Sequence, residues 1–248
     1  QIGVMKISPR KPAHWILLAQ QGLFTLISIL VRAFSRRRDN TVILYGHQLS
    51  GNLRALYLQW QRERKDTMQL YFLSLDPQYS KELERSGINV LRCNKLKHML
   101  KLSSAKVMIT DHGLHLMKPL LALSDIFFID VWHGIPYKGF VARDFRLQHR
   151  YDETWVSSEK LKSIYVERFG FQPNRVKAIG YARVDRLVGG KTSDSHYKKA
   201  NVTNQETRII LYAPTWQHDD NGRQLFPFGE SEDIFINRLS DVCQKYDA

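Results

Sequence analysis

Cysteine is scarce in this chain of 248 residues: only Cys93 and Cys243 occur. Two thiols cannot staple a disulfide scaffold, so a core of the chain's own making and a reducing cytoplasm are expected. The Asn201-Val202-Thr203 sequon then carries no weight. No Asp-x-Asp pair occurs, which argues against an acidic metal-diphosphate site, and His112 with His115 has no third ligand at convincing spacing. Neither a metal nor a cofactor is expected. There is no Gly-x-Gly-x-x-Gly dinucleotide fingerprint. Gly190-Lys191-Thr192 imitates the end of a phosphate loop, but Asp185 stands where the first Gly is required. Ser157 lacks the Gly-x-Ser-x-Gly elbow of a hydrolase. Acidic residues are also in deficit: 24 against 37 Lys and Arg gives a formal charge of +13. That balance suits an anionic partner, which could be nucleic acid, an acidic membrane or a phosphorylated substrate. The basic residues are scattered, without the aromatic interleaving of an RNA-binding sheet, so no nucleic acid partner is expected.

Charge is missing altogether from Trp15 to Phe34 except at Arg32. About twenty helical residues reach about 30 Å, so length alone permits a membrane span. The polar residues Gln21, Thr25, Ser28, Arg32 and Ser35 recur at helical spacing and form one narrow stripe on a broad apolar helix. Such a helix suits the plane of a membrane interface, with Trp15, Leu23, Phe24, Leu26, Ile27 and Leu30 in lipid. Lys6, Arg10 and Lys11 before it and Arg36, Arg37 and Arg38 after it would add attraction to anionic headgroups. Lysine at Thr25 or Ser28 should then leave membrane binding intact. A spanning helix and a helix packed on protein are the other readings. A basic cluster rather than a small-residue cleavage site follows the apolar segment, which argues against a cleaved signal peptide.

Beyond residue 38 short apolar runs alternate with amphipathic stretches such as 53–64. Residues 41–45, 70–75, 89–92, 106–110, 126–131, 153–156 and 176–179 read as strands, the rhythm of a parallel sheet with crossover helices. Residues 189–207 are polar and read as a linker; 208–213 reads as a new strand and 231–246 as a helix. Polar residues gather where the apolar runs stop: Gly46-His47, Ser74 to Asp76, Asp111-His112, Trp132-His133, Ser157-Ser158, Gly180-Tyr181 and Thr215-Trp216. In a parallel sheet these positions share the edge where ligands bind. Turn and cap chemistry explains part of that set, Asn52, Asp76 and Ser158 above all. The most informative stretch is Asp130-Val-Trp-His-Gly-Ile-Pro-Tyr-Lys-Gly-Phe140. An imidazole at a strand end can take a proton near neutral pH, Gly134 permits close approach of a substrate, and Pro136 stiffens the turn. His133 is the candidate general base, against the alternative of a satisfied histidine at a strand end.

Trp132-His133-Gly134-Ile135-Pro136-Tyr137-Lys138 resembles the Trp-His-Gly-Thr-Pro-x-Lys motif of the CDP-glycerol glycerophosphotransferases, which build teichoic acids and related bacterial polymers. Tyr212-Ala213-Pro214-Thr215-Trp216 is similar to that family's Tyr-Ala-Pro-Thr-Trp-Arg, and Gly180-Tyr181-Ala182-Arg183-Val184-Asp185 to its Gly-x-Pro-Arg-Asn-Asp. Gly51-Asn52-Leu53-Arg54-Ala55-Leu56-Tyr57 matches a looser pattern in which Asn opens a helix. The matches run in family order.

The resemblance implies an α/β, GT-B-like fold of two Rossmann-like domains behind an N-terminal amphipathic membrane helix. Residues 1–38 would be the membrane segment, 39–188 the acceptor-side domain, 189–207 the linker and 208–248 the start of a donor domain that is truncated. It implies transfer of glycerol phosphate from CDP-glycerol to a polyprenyl-diphosphate-linked saccharide acceptor, with CMP released, at the cytoplasmic face of an anionic membrane. By the same resemblance His133 is the base; Gly51, Asn52, Asp111, Gly134, Lys138, Arg183, Asp185, Thr215 and Trp216 bind substrate. Lys138 and Arg183 would neutralise phosphate. Asp185 would orient Arg183 or contact the donor, and Trp216 would line the cytidine pocket. Departures from the pattern are Gln217 for Arg, Ala182 and Val184 for Pro and Asn, and Gly139 for a second Lys; they bear on which polyol phosphate and acceptor are used. The alternatives are a CDP-ribitol-using homologue or capsule polymerase, a GT-B transferase of a nucleotide sugar, and a non-catalytic basic membrane binder.

Overall fold

A computed structural model describes residues 11–35, 39–64, 66–132, 134–136, 139–188, 217–219, 222–224, 226 and 229–245. The chain divides into two compact units, Gln1–Gly190 and Lys191–Ala248.

The first unit carries seven strands: β1 (Thr41–Tyr45), β2 (Gln69–Ser74), β3 (Val90–Arg92), β4 (Val107–Thr110), β5 (Phe127–Asp130), β6 (Glu153–Val156) and β7 (Val176–Ala178). All pair in parallel in the order β3-β2-β1-β4-β5-β6-β7. Each of the seven strands expected between residues 41 and 179 is present. The helices are α1 (Pro12–Phe34), α2 (Gly51–Glu63), α3 (Pro77–Arg85), α4 (Leu96–Met99), α5 (Leu120–Leu123), α6 (Glu159–Glu167) and α7 (Asp185–Val188). Asp76 caps α3 by accepting from the amides of Gln78 and Tyr79, and Ser158 caps α6 by accepting from Leu161.

Alternation along the strands loads both faces of the sheet. Ile43, Tyr45, Leu73, Met108 and Phe128 point to one face, where Ile29 of α1 joins them. Val42, Leu44, Phe72, Ile109 and Ile129 point to the other, packed by Leu53, Tyr57 and Trp60 of α2. All five residues of β1 are buried, as a central parallel strand covered on both sides requires. A third cluster, built on Phe145, Tyr165, Phe169 and Phe171, closes the β6–β7 end.

Helix α1 sits with its polar stripe inward. Gln21, Thr25, Ser28 and Arg32 are buried, whereas Trp15, Ile16, Leu23, Leu26, Leu30 and Phe34 are exposed. The Ser28 hydroxyl donates to Met99 O at 2.8 Å, and Arg32 donates to the carbonyls of Leu102, Ser103 and Ala105 and to Asp125. The stripe at Thr25 and Ser28 is therefore a docking face and not a surface that tolerates lysine. Phe24 and Ile27, expected on the lipid side, are half-buried, and Phe24 packs against the core. Arg36, Arg37 and Arg38 lie outside the described residues.

In the second unit the described residues form an antiparallel hairpin of β8 (Gln217–Asp219) and β9 (Gly222–Gln224), and α8 (Glu232–Lys245). The helix falls where the sequence pattern places it. The hairpin was not expected, although Asn221-Gly222 is a turn signal. The strand read at 208–213 lies outside the described residues.

Candidate active site

The sheet reverses its winding between β1 and β4, since β2 and β3 follow on one side and β5, β6 and β7 on the other. Ligands bind beyond the carboxyl ends of the strands at such a point. Register aligns those ends: Tyr45 pairs with Thr110, and Thr110 with Asp130. Two residues further along each chain stand His47, His112 and Trp132, in a row on three neighbouring strands. Trp132 has φ 27°, a left-handed backbone that bulky residues rarely adopt. The chain turns sharply there, and the Trp132 ring packs on Phe140 and Phe145. His133 itself, Tyr137 and Lys138 lie outside the described residues, as do Thr215 and Trp216.

Asn52 holds this turn in place. It is buried in the first turn of α2, and its amide donates to Val131 O at 2.8 Å and Trp132 O at 2.9 Å. Its carbonyl oxygen accepts from the Arg183 amide at 3.3 Å. One side chain thus ties the start of α2, the end of β5 and the 3-10 turn Ala182–Val184. Gly51 before it has φ 51°, a conformation that glycine adopts without strain, and a Cβ there would stand 3.9 Å from Arg183 Cδ. The Tyr181 hydroxyl donates to Gly134 O at 3.1 Å, and the Arg183 guanidinium lies 5.4 Å from the Tyr181 ring centroid. Gly51, Asn52, Gly134 and Arg183, distant in sequence, meet around the Trp132 turn. Arg183 is exposed, and Asp185 is exposed at the start of α7. Asp111 belongs to the neighbouring strand end. Its buried carboxylate accepts from His112 Nδ1 at 2.7 Å. A Cβ on Gly46 would meet that carboxylate and would stand 2.8 Å from Leu53 Cδ1, so a side chain there would force Asp111 and Leu53 to shift.

Asp130, the last residue of β5, is fully buried, and neither carboxyl oxygen makes a well-formed hydrogen bond. The hydroxyls of Tyr151 and Tyr165 are also buried without partners. Burial pushes the Asp130 carboxyl up to about 8, with the Asp111 charge adding to the shift and the Trp132 amide opposing it. Burial likewise pushes Tyr181 up to about 12, opposed by Arg183. Sequence reasoning gave Asp130 and Tyr181 no role. The available sign for Asp130 was a carboxylate closing an otherwise apolar run. Among the described residues no group of three His, Cys, Asp or Glu side chains is arranged to hold a metal ion.

Residues 28–242 match the family described as CDP-Glycerol:Poly(glycerophosphate) glycerophosphotransferase. The chain is 26% identical over 194 residues to the teichoic acid poly(glycerol phosphate) polymerase of Bacillus subtilis (strain 168), covering 70% of this chain and 25% of that protein. It is 25% identical over 251 residues to the teichoic acid ribitol-phosphate polymerase TarL of Staphylococcus aureus (strain NCTC 8325 / PS 47), covering 92% and 42%. It therefore spans a quarter to about half the length of such relatives. The solved structure of the wall teichoic acid polymerase TagF superposes with a TM-score of 0.63 at 17% identity, covering 91% of this chain and 60% of that one. The fold is thus shared with TagF.

Proposed function

Because the chain belongs to the CDP-glycerol:poly(glycerophosphate) glycerophosphotransferase family, we propose that it transfers glycerol phosphate from CDP-glycerol to a hydroxyl of a lipid-linked acceptor in teichoic acid synthesis, releasing CMP. In this reading the acceptor oxygen attacks the β-phosphorus of CDP-glycerol in line. The bond from that phosphorus to the bridging oxygen breaks, the electron pair leaves with CMP, and a glycerol-phosphate diester forms. His133 takes the hydroxyl proton, and Arg183 with Lys138 offsets the charge on the phosphoryl oxygens. One observation carries the reading. Asn52, the Trp132–Gly134 turn and the Tyr181–Arg183 turn come from three separate family-like motifs and are locked together by the hydrogen bonds of Asn52 and Tyr181. Such locking is what a phosphoryl-transfer site needs, since its catalysis is mostly positioning.

The outward apolar face of α1 supports attachment in the plane of a membrane, with the polar face fastened to Tyr45, Met99 and the carbonyls of Leu102, Ser103 and Ala105. Burying that face would contribute several kcal/mol of membrane affinity, by roughly 25 cal/mol per Å² of apolar surface. This would hold the site at the cytoplasmic face, where a polyprenyl-diphosphate-linked acceptor is presented. The likeness to a ribitol-phosphate polymerase makes CDP-ribitol the second donor to test. The test is acceptor-dependent CMP release with CDP-glycerol, CDP-ribitol and UDP-sugars supplied separately. Release from CDP-glycerol supports the proposal, and turnover of a UDP-sugar alone refutes it.

A further inference from the structure

One buried side chain at the site spends its polar atoms on main chain. Asn52 stands in the first turn of α2 and is 3% exposed. Its amide nitrogen donates to Val131 O at 2.8 Å and to Trp132 O at 2.9 Å, and its oxygen accepts from the Arg183 amide at 3.3 Å. Turning the amide over would set its oxygen against two carbonyls and its nitrogen against an N–H, so the network fixes its orientation. Both amide hydrogens are then committed, and none is left for a ligand.

The two carbonyls belong to consecutive residues. Successive carbonyls of an extended strand point to opposite sides, so one amide group reaches both only where the chain turns. The β5 ladder continues as far as Val131, whose amide donates to Thr110 O at 2.9 Å. At the next residue the backbone swings to φ 27°, a left-handed conformation that a residue with a side chain adopts at a cost. The two bonds from Asn52 flank that residue, and they form together only when it is turned. They are delivered from a fixed base, since Leu53, Tyr57 and Trp60 of the same helix are buried against the sheet. Gly51, itself at φ 51°, brings the first turn of α2 beside the Arg183 side chain.

We infer that Asn52, which its family-like motif would make a substrate ligand, is instead a positioning residue for the proposed transfer. It clamps Val131 and Trp132 in the left-handed turn that leads into His133. The same side chain fixes the main chain of Arg183, so the turn before the base and the turn that carries the guanidinium keep one spacing. Loss of the clamp frees Trp132 to relax toward an extended backbone and carries the residues after it away from Arg183. The inference rests on the transferase reading for the reaction, but the clamp itself can be tested without turnover.

The experiment uses the full chain with 5-fluorotryptophan at its five tryptophans. Signals are assigned by their absence from Trp60→Phe, Trp132→Phe and Trp155→Phe. In Asn52→Asp and Asn52→Ala the ¹⁹F signal of Trp132, whose ring packs on Phe140 and Phe145, should shift while those of Trp60 and Trp155 stay in place. An unmoved Trp132 signal would overturn the inference. Equal movement of all three would make Asn52 a general packing residue and overturn it too. Asn52→Asp is nearly isosteric and keeps an acceptor for the Arg183 amide, so it isolates the loss of the two donated bonds; Asn52→Ala repeats the test without a buried charge. In turnover assays counted per folded molecule, both variants should lower kcat at least about 10-fold, with the KM values for acceptor and CDP-glycerol changed by less than about 2-fold. A raised KM at unchanged kcat is the mark of a lost substrate contact and would contradict the inference. Absence of CMP release from the unsubstituted protein would instead refute the transferase reading, leaving the ¹⁹F spectra to decide the clamp.

Discussion

Polar side chains are buried both beneath α1 and beyond β5, yet the two regions pair them to different degrees. Under α1, Gln21, Thr25, Ser28 and Arg32 all make hydrogen bonds, and Arg32 reaches three carbonyls, although its buried Nη2 makes none of these bonds. Beyond β5, the hydroxyls of Tyr151 and Tyr165 are buried without partners, and neither Asp130 oxygen makes a well-formed hydrogen bond. Each such group costs about 1–3 kcal/mol relative to a satisfied one. The first region has the pairing expected where polar groups serve to fix one docking geometry. The second accepts a cost two residues before the strained Trp132, a pattern found where unsatisfied groups serve function.

The contrast can be broken most sharply at the edge itself. His133→Ala should lower acceptor-dependent CMP release at least about 100-fold, the usual effect of losing a general base, with little change in donor binding. Near-normal turnover would remove His133 from the mechanism. Beneath α1 the largest effect should be on folding: Arg32→Met leaves three carbonyls without their donor and should cost about 3 kcal/mol in urea unfolding, with turnover per folded molecule retained. Thr25→Lys should also destabilise, by roughly 2 kcal/mol, since it forces a charge into the docked face. On the outer face of the same helix, replacing Leu23, Leu26 and Leu30 with Glu should change stability by less than about 1 kcal/mol while abolishing binding to anionic vesicles. Equal losses of stability from both faces would mean that the apolar side of α1 is buried in protein.

The parallel sheet was legible because each strand is a short apolar run closed by turn residues, and the seven runs from Thr41 to Ala178 are separated by stretches of the right length. The polar stripe of α1 was equally legible, but its direction was not. Periodicity identifies a face without saying whether protein or solvent lies against it, and only the carbonyls of Met99, Leu102, Ser103 and Ala105 settle that Ser28 and Arg32 point inward. At the site, the motif residues Asn52 and Arg183 could be named from the sequence, whereas the bond between them could not, because it joins residues 131 positions apart. Asp130 was read as part of a motif and not as a buried acid, since burial depends on Tyr151 and Tyr165 arriving from later segments. His47 went unpaired with His112 for the same reason: the register of β1 on β4 creates the neighbourhood.

The claim that the β5 edge gives up stability is tested most directly by urea unfolding of Asp130→Asn across pH. The Asp130 carboxyl is raised from an ordinary value of 3.8 to about 8 in the folded chain, so between those values the native state holds a proton that the unfolded state has released. Its contribution to stability is therefore lost progressively as pH rises from about 4 to about 8. An asparagine cannot ionise. The stability of Asp130→Asn relative to the unsubstituted protein should rise steadily over that range and exceed it at pH 8; a difference that stays constant with pH, or that turns against the variant as pH rises, would contradict the account.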